Sequence, residues 1–283
     1  MSVMGSEEAQ MGRGARTLLS PAGILARVRS FLLDRSDQSV AQRMAGAAFL
    51  IRVFSAGIAY VSQVLMARWM GGTQFGTYVA VWVWVLLIGH FANAGLASAA
   101  QRFVPAYAER HDHDGLRGFI AGSRRLGIIV ATGVAILGLV VLWRFGQHLS
   151  GSMVMPLALA ALCLPMFVLT DIQDGIARSY NWTDLALGPP YLIRPLILLA
   201  GMGAGHLLGF ASDAVAAMAC AVVATWVAAV VQLLLLNRRL AAEVPAGPRR
   251  SEPIVWLRTS LPIFLVETFY LALTYADVIL LKH

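Results

Sequence analysis

Seven long apolar runs, separated by polar breaks, dominate the chain. They extend over about Met44–Arg68, Phe75–Ala100, Leu126–Trp143, Met153–Ala177, Leu187–Leu208, Asp213–Leu236 and Thr259–Lys282. Most reach the roughly 20 residues that an α-helix needs to cross about 30 Å of hydrocarbon. Strands are excluded, because an open sheet would leave backbone polar groups unpaired in lipid. The pattern therefore predicts an all-α, polytopic transmembrane helix bundle. A polar segment occupies 1–43, a six-helix lobe 44–236, a cytoplasmic linker 237–258, and a seventh transmembrane helix, the first of a second lobe, 259–283. Within the polar segment Ser20-Pro21 supplies an N-cap and a first-turn proline. Pro21, Ile24, Leu25, Val28, Phe31 and Leu32 follow at helical spacing, which predicts a basic N-terminal amphipathic helix. Two placements suit it, on an anionic membrane surface or packed on the first span. The segment lacks the long apolar centre and cleavage site of a signal peptide.

Composition agrees with this reading and removes other classes. Of 283 residues, 58% are hydrophobic and only 13% charged, and mean hydropathy is +0.70. A soluble domain carries about 25% charge, so a soluble enzyme, a disordered chain and a disulfide scaffold are all excluded. Cys163 and Cys220 each sit inside an apolar run and read as small buried residues. The net charge of +7 is an arginine excess, since Lys282 is the only lysine. In a soluble chain a pI near 10.0 would point to nucleic acid. Here the basic residues alternate from loop to loop. With the N-terminus inside, 17 of the 22 Lys and Arg fall in inner segments and three (Arg68, Arg144, Lys282) in outer ones, with Arg52 and Arg194 inside spans. That asymmetry predicts a cytoplasmic N-terminus, and no nucleic-acid partner. Long charged inner connections are expected over Gln101–Arg125 and Asn237–Arg258. His111-Asp112-His113-Asp114 reads as a solvated turn, with neither a metal nor another cofactor expected.

Charge within hydrocarbon costs roughly 2.5–3.5 kcal/mol at a helix centre, so each intramembrane ion needs an account. Arg52, Arg194 and Glu267 each lie about 12 Å from the inner end of their spans, counting ~1.5 Å per residue. Asp171 lies near the inner end of span 4. Arg52, Ser55, Ser62 and Gln63 share one face of span 1, and Glu267, Tyr270, Thr274 and Asp277 share one face of span 7. Three readings stand: the charges line an inward-facing cavity, they pair Arg with Asp171 or Glu267 to staple helices, or the arginines snorkel to the interface. On the first, Arg52, Arg194, Gln63, Glu267, Asp277 and Asp171 are candidate substrate-binding residues. The planar arginine fork suits phosphate oxygens. Pro195 is expected to kink span 5 and Pro189-Pro190 to mark its start. The pair Asp171 and Asp174 lacks a companion catalytic histidine or a glycine-rich phosphate loop, so no enzyme is expected. A shift of 215 residues places Phe49, Leu50, Phe54, Tyr60 and Leu65 on Phe264, Leu265, Phe269, Tyr275 and Leu280, and Arg52 on Glu267. This is the trace of a parallel repeat.

Several stretches resemble one family. Ala67-Arg68-Trp69-Met70-Gly71-Gly72-Thr73-Gln74-Phe75-Gly76-Thr77-Tyr78 is similar to the span 1–span 2 junction of polysaccharide-biosynthesis membrane proteins. These are the Wzx-type flippases of the multidrug/oligosaccharidyl-lipid/polysaccharide exporter superfamily. Asn93-Ala94-Gly95-Leu96, Gln101-Arg102-Phe103-Val104-Pro105, Tyr191-Leu192-Ile193-Arg194-Pro195-Leu196, and Leu261-Pro262 through Ala276-Asp277 resemble later segments of that family. The resemblance covers about Arg43 to Lys282. It implies 12 to 14 helices in two lobes around a central cavity, and movement of an undecaprenyl-diphosphate-linked oligosaccharide between leaflets. The chain would then hold the first lobe and one further helix, as a fragment or with a second chain supplying the rest. Other functions weighed are a drug or cation antiporter of the same superfamily and a non-transporting scaffold among polysaccharide assembly proteins.

Overall fold

A computed structural model describes residues 37–148 and 151–280, with side chains described from Phe49 to Phe269. The amphipathic helix expected over Pro21–Leu32 lies outside the described residues. The chain divides into two compact units, Met1–Leu50 and Ile51–His283. In the first, the described residues are helical, and Phe49 and Leu50 are exposed.

The described secondary structure is helical throughout. In chain order it comprises α1 (Asp37–Met70), α2 (Gly72–Asn93), α3 (Leu96–Glu109), α4 (His113–Phe145), α5 (Gly151–Ser179), α6 (Thr183–Gly188), a π turn (Pro189–Ile193), α7 (Arg194–Leu207), α8 (Ala214–Glu243) and α9 (Pro253–Leu280). Among the described residues six segments are long and apolar enough to span a membrane: Phe49–Met70, Gly72–Asn93, His113–His148, Gly151–Ser179, Thr183–Leu207 and Ala214–Glu243. Many of their large apolar side chains are exposed, among them Trp84, Ile129, Trp143 and Leu234. A water-soluble surface does not carry such a band; lipid accepts it.

In the second unit α5 is the hub. The helices α2, α3, α4 and α8 all pack on it. Its small residues permit the close approach. A Cβ at Gly175 would overlap the Ala97 backbone, so only glycine fits where α3 crosses α5. Cys163, Val168, Ile172 and Ile176 are buried on the same helix, which accords with the reading of Cys163 as a small core residue.

Three features differ from the sequence pattern. The second apolar run is not one helix: Ala94 (φ 49°) and Gly95 (φ 73°) are both left-handed and end α2. A Cβ on Gly95 would lie 2.6 Å from the Ser260 carbonyl, so the bend also fits closely against α9. Second, the charged stretch 101–125 is helical on both sides of a turn at Arg110–Asp112. Third, Pro189-Pro190 do not start span 5. The helical run begins at Thr183, and the prolines lie in a π turn in which the Arg194 N–H donates to the Pro189 carbonyl. Pro195 has no N–H to offer the turn before it, so the irregularity falls on its N-terminal side.

The stretch after α8 is fastened to the α3–α4 turn. The Asp112 side chain caps α4 by accepting from the Gly115 N–H at 2.9 Å, and it also pairs with Arg250. Arg117 pairs with Asp114 and donates to the carbonyls of Pro248 (2.8 Å) and Pro245 (2.5 Å). The Trp256 indole N–H donates to the Tyr107 hydroxyl, and that hydroxyl donates to Glu252 Oε2, each at 3.3 Å. The His111–Asp114 segment is thus a capped, ion-paired corner, and among the described residues no His, Cys, Asp and Glu group has a metal-holding arrangement.

Candidate functional site

The intramembrane charges are distributed over two groups. Arg52 on α1 and Arg194 at the start of α7 line one cavity of about 380 Å³, together with Ser55, Pro190, Tyr191 and Pro195. The π turn contributes two of these residues. A second cavity of about 200 Å³ adjoins it, since Ala59, Arg194 and Pro195 line both. It lies nearer the α1–α2 turn, with Ser62 and Gln63 from α1 and Phe75, Tyr78 and Trp82 from α2.

Among the described residues Arg194 is held without a counter-ion. Its guanidinium carbon lies 5.2 Å from the ring centre of Trp82 and 5.7 Å from that of Phe167. Among the described residues neither it nor Arg52 makes an ion pair. Aromatic faces attract a cation and leave its N–H donors uncommitted. Arg52 is exposed on the cavity side, and Arg194 is half-buried.

Asp171 and Glu267 belong to the other group. They line a cavity of about 580 Å³ with His90, Asn93, Asp174 and Arg178. The Asn93 side-chain amide donates to Asp171 Oδ2 at 2.5 Å, and the Ser98 hydroxyl donates to Glu267 Oε1. Asp174 pairs with Arg178 at 2.9 Å. Neutral partners therefore occupy Asp171 and Glu267, and neither is paired with Arg52 or Arg194 among the described residues. These bonds join α2 to α5 and α3 to α9. Asp277 lies on α9, but its side chain, like those of Tyr270 and Thr274, is outside the described residues.

The five candidates whose side chains are described thus separate. Arg52 shares a cavity with Arg194, Gln63 shares the adjoining one with Arg194, and Asp171 and Glu267 share a third. Residues that sequence reasoning missed are Trp82 and Phe167, which hold Arg194, and Asn93 and Ser98, which hold the two acids. Asn93 was legible as a lone amide within an apolar run, just before the left-handed pair Ala94-Gly95. Trp82 and Phe167 carried no such signal among many aromatics in apolar text.

Residues 43–185 match the family model described as polysaccharide biosynthesis protein. No curated protein and no solved structure matches the chain. The matched region includes α2 to α5 and all of α1 beyond Arg43, so it contains Arg52, Gln63, Trp82, Phe167 and Asp171. It covers half of the sequence, and with a helical bundle that carries six candidate spans, it makes this chain a multi-pass membrane protein that belongs to the polysaccharide biosynthesis protein family.

Proposed function

We propose that the chain binds a lipid-linked oligosaccharide through its diphosphate and takes part in moving it across a bacterial inner membrane, with the N-terminus cytoplasmic and without catalysing a reaction. The observation that carries this reading is Arg194: a guanidinium inside a membrane lobe, cradled by two aromatic rings, sharing a cavity with a second arginine and paired with no carboxylate among the described residues. An uncompensated cation in such a place is costly. A diphosphate would offset that cost, and its oxygens match the planar fork of arginine. The cavity is bordered by α1, and the helix pairs that pack most extensively in the second unit do not include α1. That arrangement suits a ligand whose polyprenyl tail stays in lipid while its headgroup enters the lobe. Partners under this reading are the lipid-linked glycan, the bilayer, and other polysaccharide assembly proteins or a chain that completes a second lobe.

The test is binding of undecaprenyl diphosphate to the full chain in lipid nanodiscs. Saturable binding that Arg52→Ala and Arg194→Ala each weaken at least about tenfold, with folding intact, supports the reading. Equal binding by both variants and the parent sinks it. Cation antiport is a second reading, favoured by one observation: the cavity of about 580 Å³ carries three carboxylates against Arg178 and His90. Transport of an organic cation that Asp171→Asn abolishes, with no binding of the diphosphate, would select it. Binding without movement would instead mark a scaffold.

A further inference from the structure

Arg124 stands where the apolar runs of two helices give out. The run Leu126–Trp143 on α4 is preceded by Arg124 and Arg125, and the run Asp213–Leu236 on α8 is followed by Asn237 and Arg238. Both helices pack on α5. A hydrogen bond joins their boundary residues: Arg124 Nη1 donates to Asn237 Oδ1 at 2.7 Å. The four residues therefore lie where hydrocarbon meets headgroups, on the membrane face of the α3–α4 corner. Tyr180 and Trp182, just past the end of α5, stack with ring centres 4.6 Å apart, and such aromatic residues are enriched at that boundary.

The donors of Arg124 are only partly used. Its Nε and Nη2 are buried and have no hydrogen-bond partner among the described residues, where it makes no ion pair either. These two nitrogens form the side-on edge of the guanidinium, which grips two oxygens of one phosphate. Leaving both donors buried and unmet is costly, and a bound anion would remove that cost. Arg239 is different: it pairs with Asp184 and lies 5.7 Å from the Trp182 ring centre. Arg125 and Arg238 are exposed and make no ion pair among the described residues. Arg52 and Arg194 line their cavity without any of these residues.

We infer that Arg124, flanked by Arg125 and Arg238, binds the phosphate of an anionic phospholipid in the leaflet on the α3–α4 side. The inference does not depend on the diphosphate reading above. A phosphodiester has two non-ester oxygens, which match the Nε and Nη2 edge. Arg124 is half-buried overall, so a rotation of its outer side-chain bonds presents that edge to a headgroup at the same depth. Arg125 and Arg238 add positive field, which favours a net negative headgroup over a zwitterionic one. The acyl chains would run along the exposed Ile129 on α4 and Leu234 and Leu235 on α8, each within about two turns of the boundary. A lipid held in this way ties α4 to α8 across the end of α5.

The test titrates dioleoyl-phosphatidylglycerol and dioleoyl-phosphatidylcholine into the full chain in detergent, with bound lipid counted by native mass spectrometry. One phosphatidylglycerol should bind saturably and about tenfold tighter than phosphatidylcholine. Arg124→Gln should cut that preference to about twofold or less, and Arg125→Gln and Arg238→Gln should each lower it about fivefold. Arg144→Gln removes the same charge from the opposite end of α4 and should leave the preference unchanged. If the two lipids bind the parent equally, the site is overturned. The same follows if Arg124→Gln folds and keeps the preference, or if Arg144→Gln loses as much. Should Arg124→Gln fail to fold, an undiminished preference in both Arg125→Gln and Arg238→Gln overturns the site. Soluble glycerol 3-phosphate is the remaining arm: it should not displace the lipid, and displacement would assign the arginines to a free phosphate compound instead.

Discussion

Four arginines, two settings. Arg117 and Arg250, at the α3–α4 corner, are saturated: each pairs with a carboxylate, Arg117 reaches two carbonyls, and Arg250 also meets Glu252 at 2.9 Å. Among the described residues Arg52 and Arg194 have cavity space instead of ion-pair partners. The first pair explains how a segment without secondary structure, between Glu243 and Pro253, holds one course across two helices. The second pair explains nothing about the fold, and that is why a ligand is the better account. Residue type does not separate the two settings. Commitment of the guanidinium donors does.

The comparison is broken most directly at Arg194. Arg194→Ala should abolish glycan export in cells that depend on the chain, with protein level and melting temperature nearly unchanged. A melting temperature that drops sharply instead would make Arg194 structural, like Arg117. Next in size, Gly175→Val drives a side chain into the Ala97 backbone. Overpacking of this kind costs about 1–3 kcal/mol or more, so thermal unfolding in detergent should occur several degrees earlier. Arg117→Ala should cost about 2 kcal/mol, because it strips charge-assisted hydrogen bonds from two carbonyls. It should also make the 244–252 stretch sensitive to protease while leaving diphosphate binding intact. Loss of binding there would dissolve the distinction between the two settings.

The smallest effect is a pH response of the corner. The Gly115 N–H and then the Arg250 guanidinium hold the Asp112 carboxyl below its usual range. The favourable contribution is therefore complete above the ordinary carboxyl value of about 3.9 and is lost as the pH falls through the lower folded value. Acid should increase cleavage of the 244–252 stretch in the parent, and Asp112→Asn should flatten that dependence. The same pH titration followed by melting should barely move, since the pair lies at the surface, with Arg250 exposed, and is screened.

Legibility in the sequence varied with the range of the interaction. Helices and spans rest on continuous apolar length, a local property, and the described spans follow it. The ion pairs of the α3–α4 corner were hidden, because Asp112 and Arg250 are far apart in the chain and a run of His and Asp looks the same whether solvated or capped. The break at Ala94-Gly95 and the π turn at Pro189–Ile193 lie within apolar text, where hydropathy does not change although the backbone does. Arg52 and Arg194 stood out by their cost in lipid, yet the alternatives for them turned on neighbours that one-dimensional text does not order.

Apolar length, arginine placement and the need to satisfy every backbone group in hydrocarbon are additive along the chain, so the sequence by itself determined a helical membrane lobe with a few costly charges inside it. Which of those charges found a partner was decided only by the tertiary structure. Asp171 met Asn93, Glu267 met Ser98, and Arg194 met two aromatic rings and a cavity. Such pairings depend on distances of a few ångströms between helices, and those distances are set by how small residues such as Gly175 let the helices close on one another.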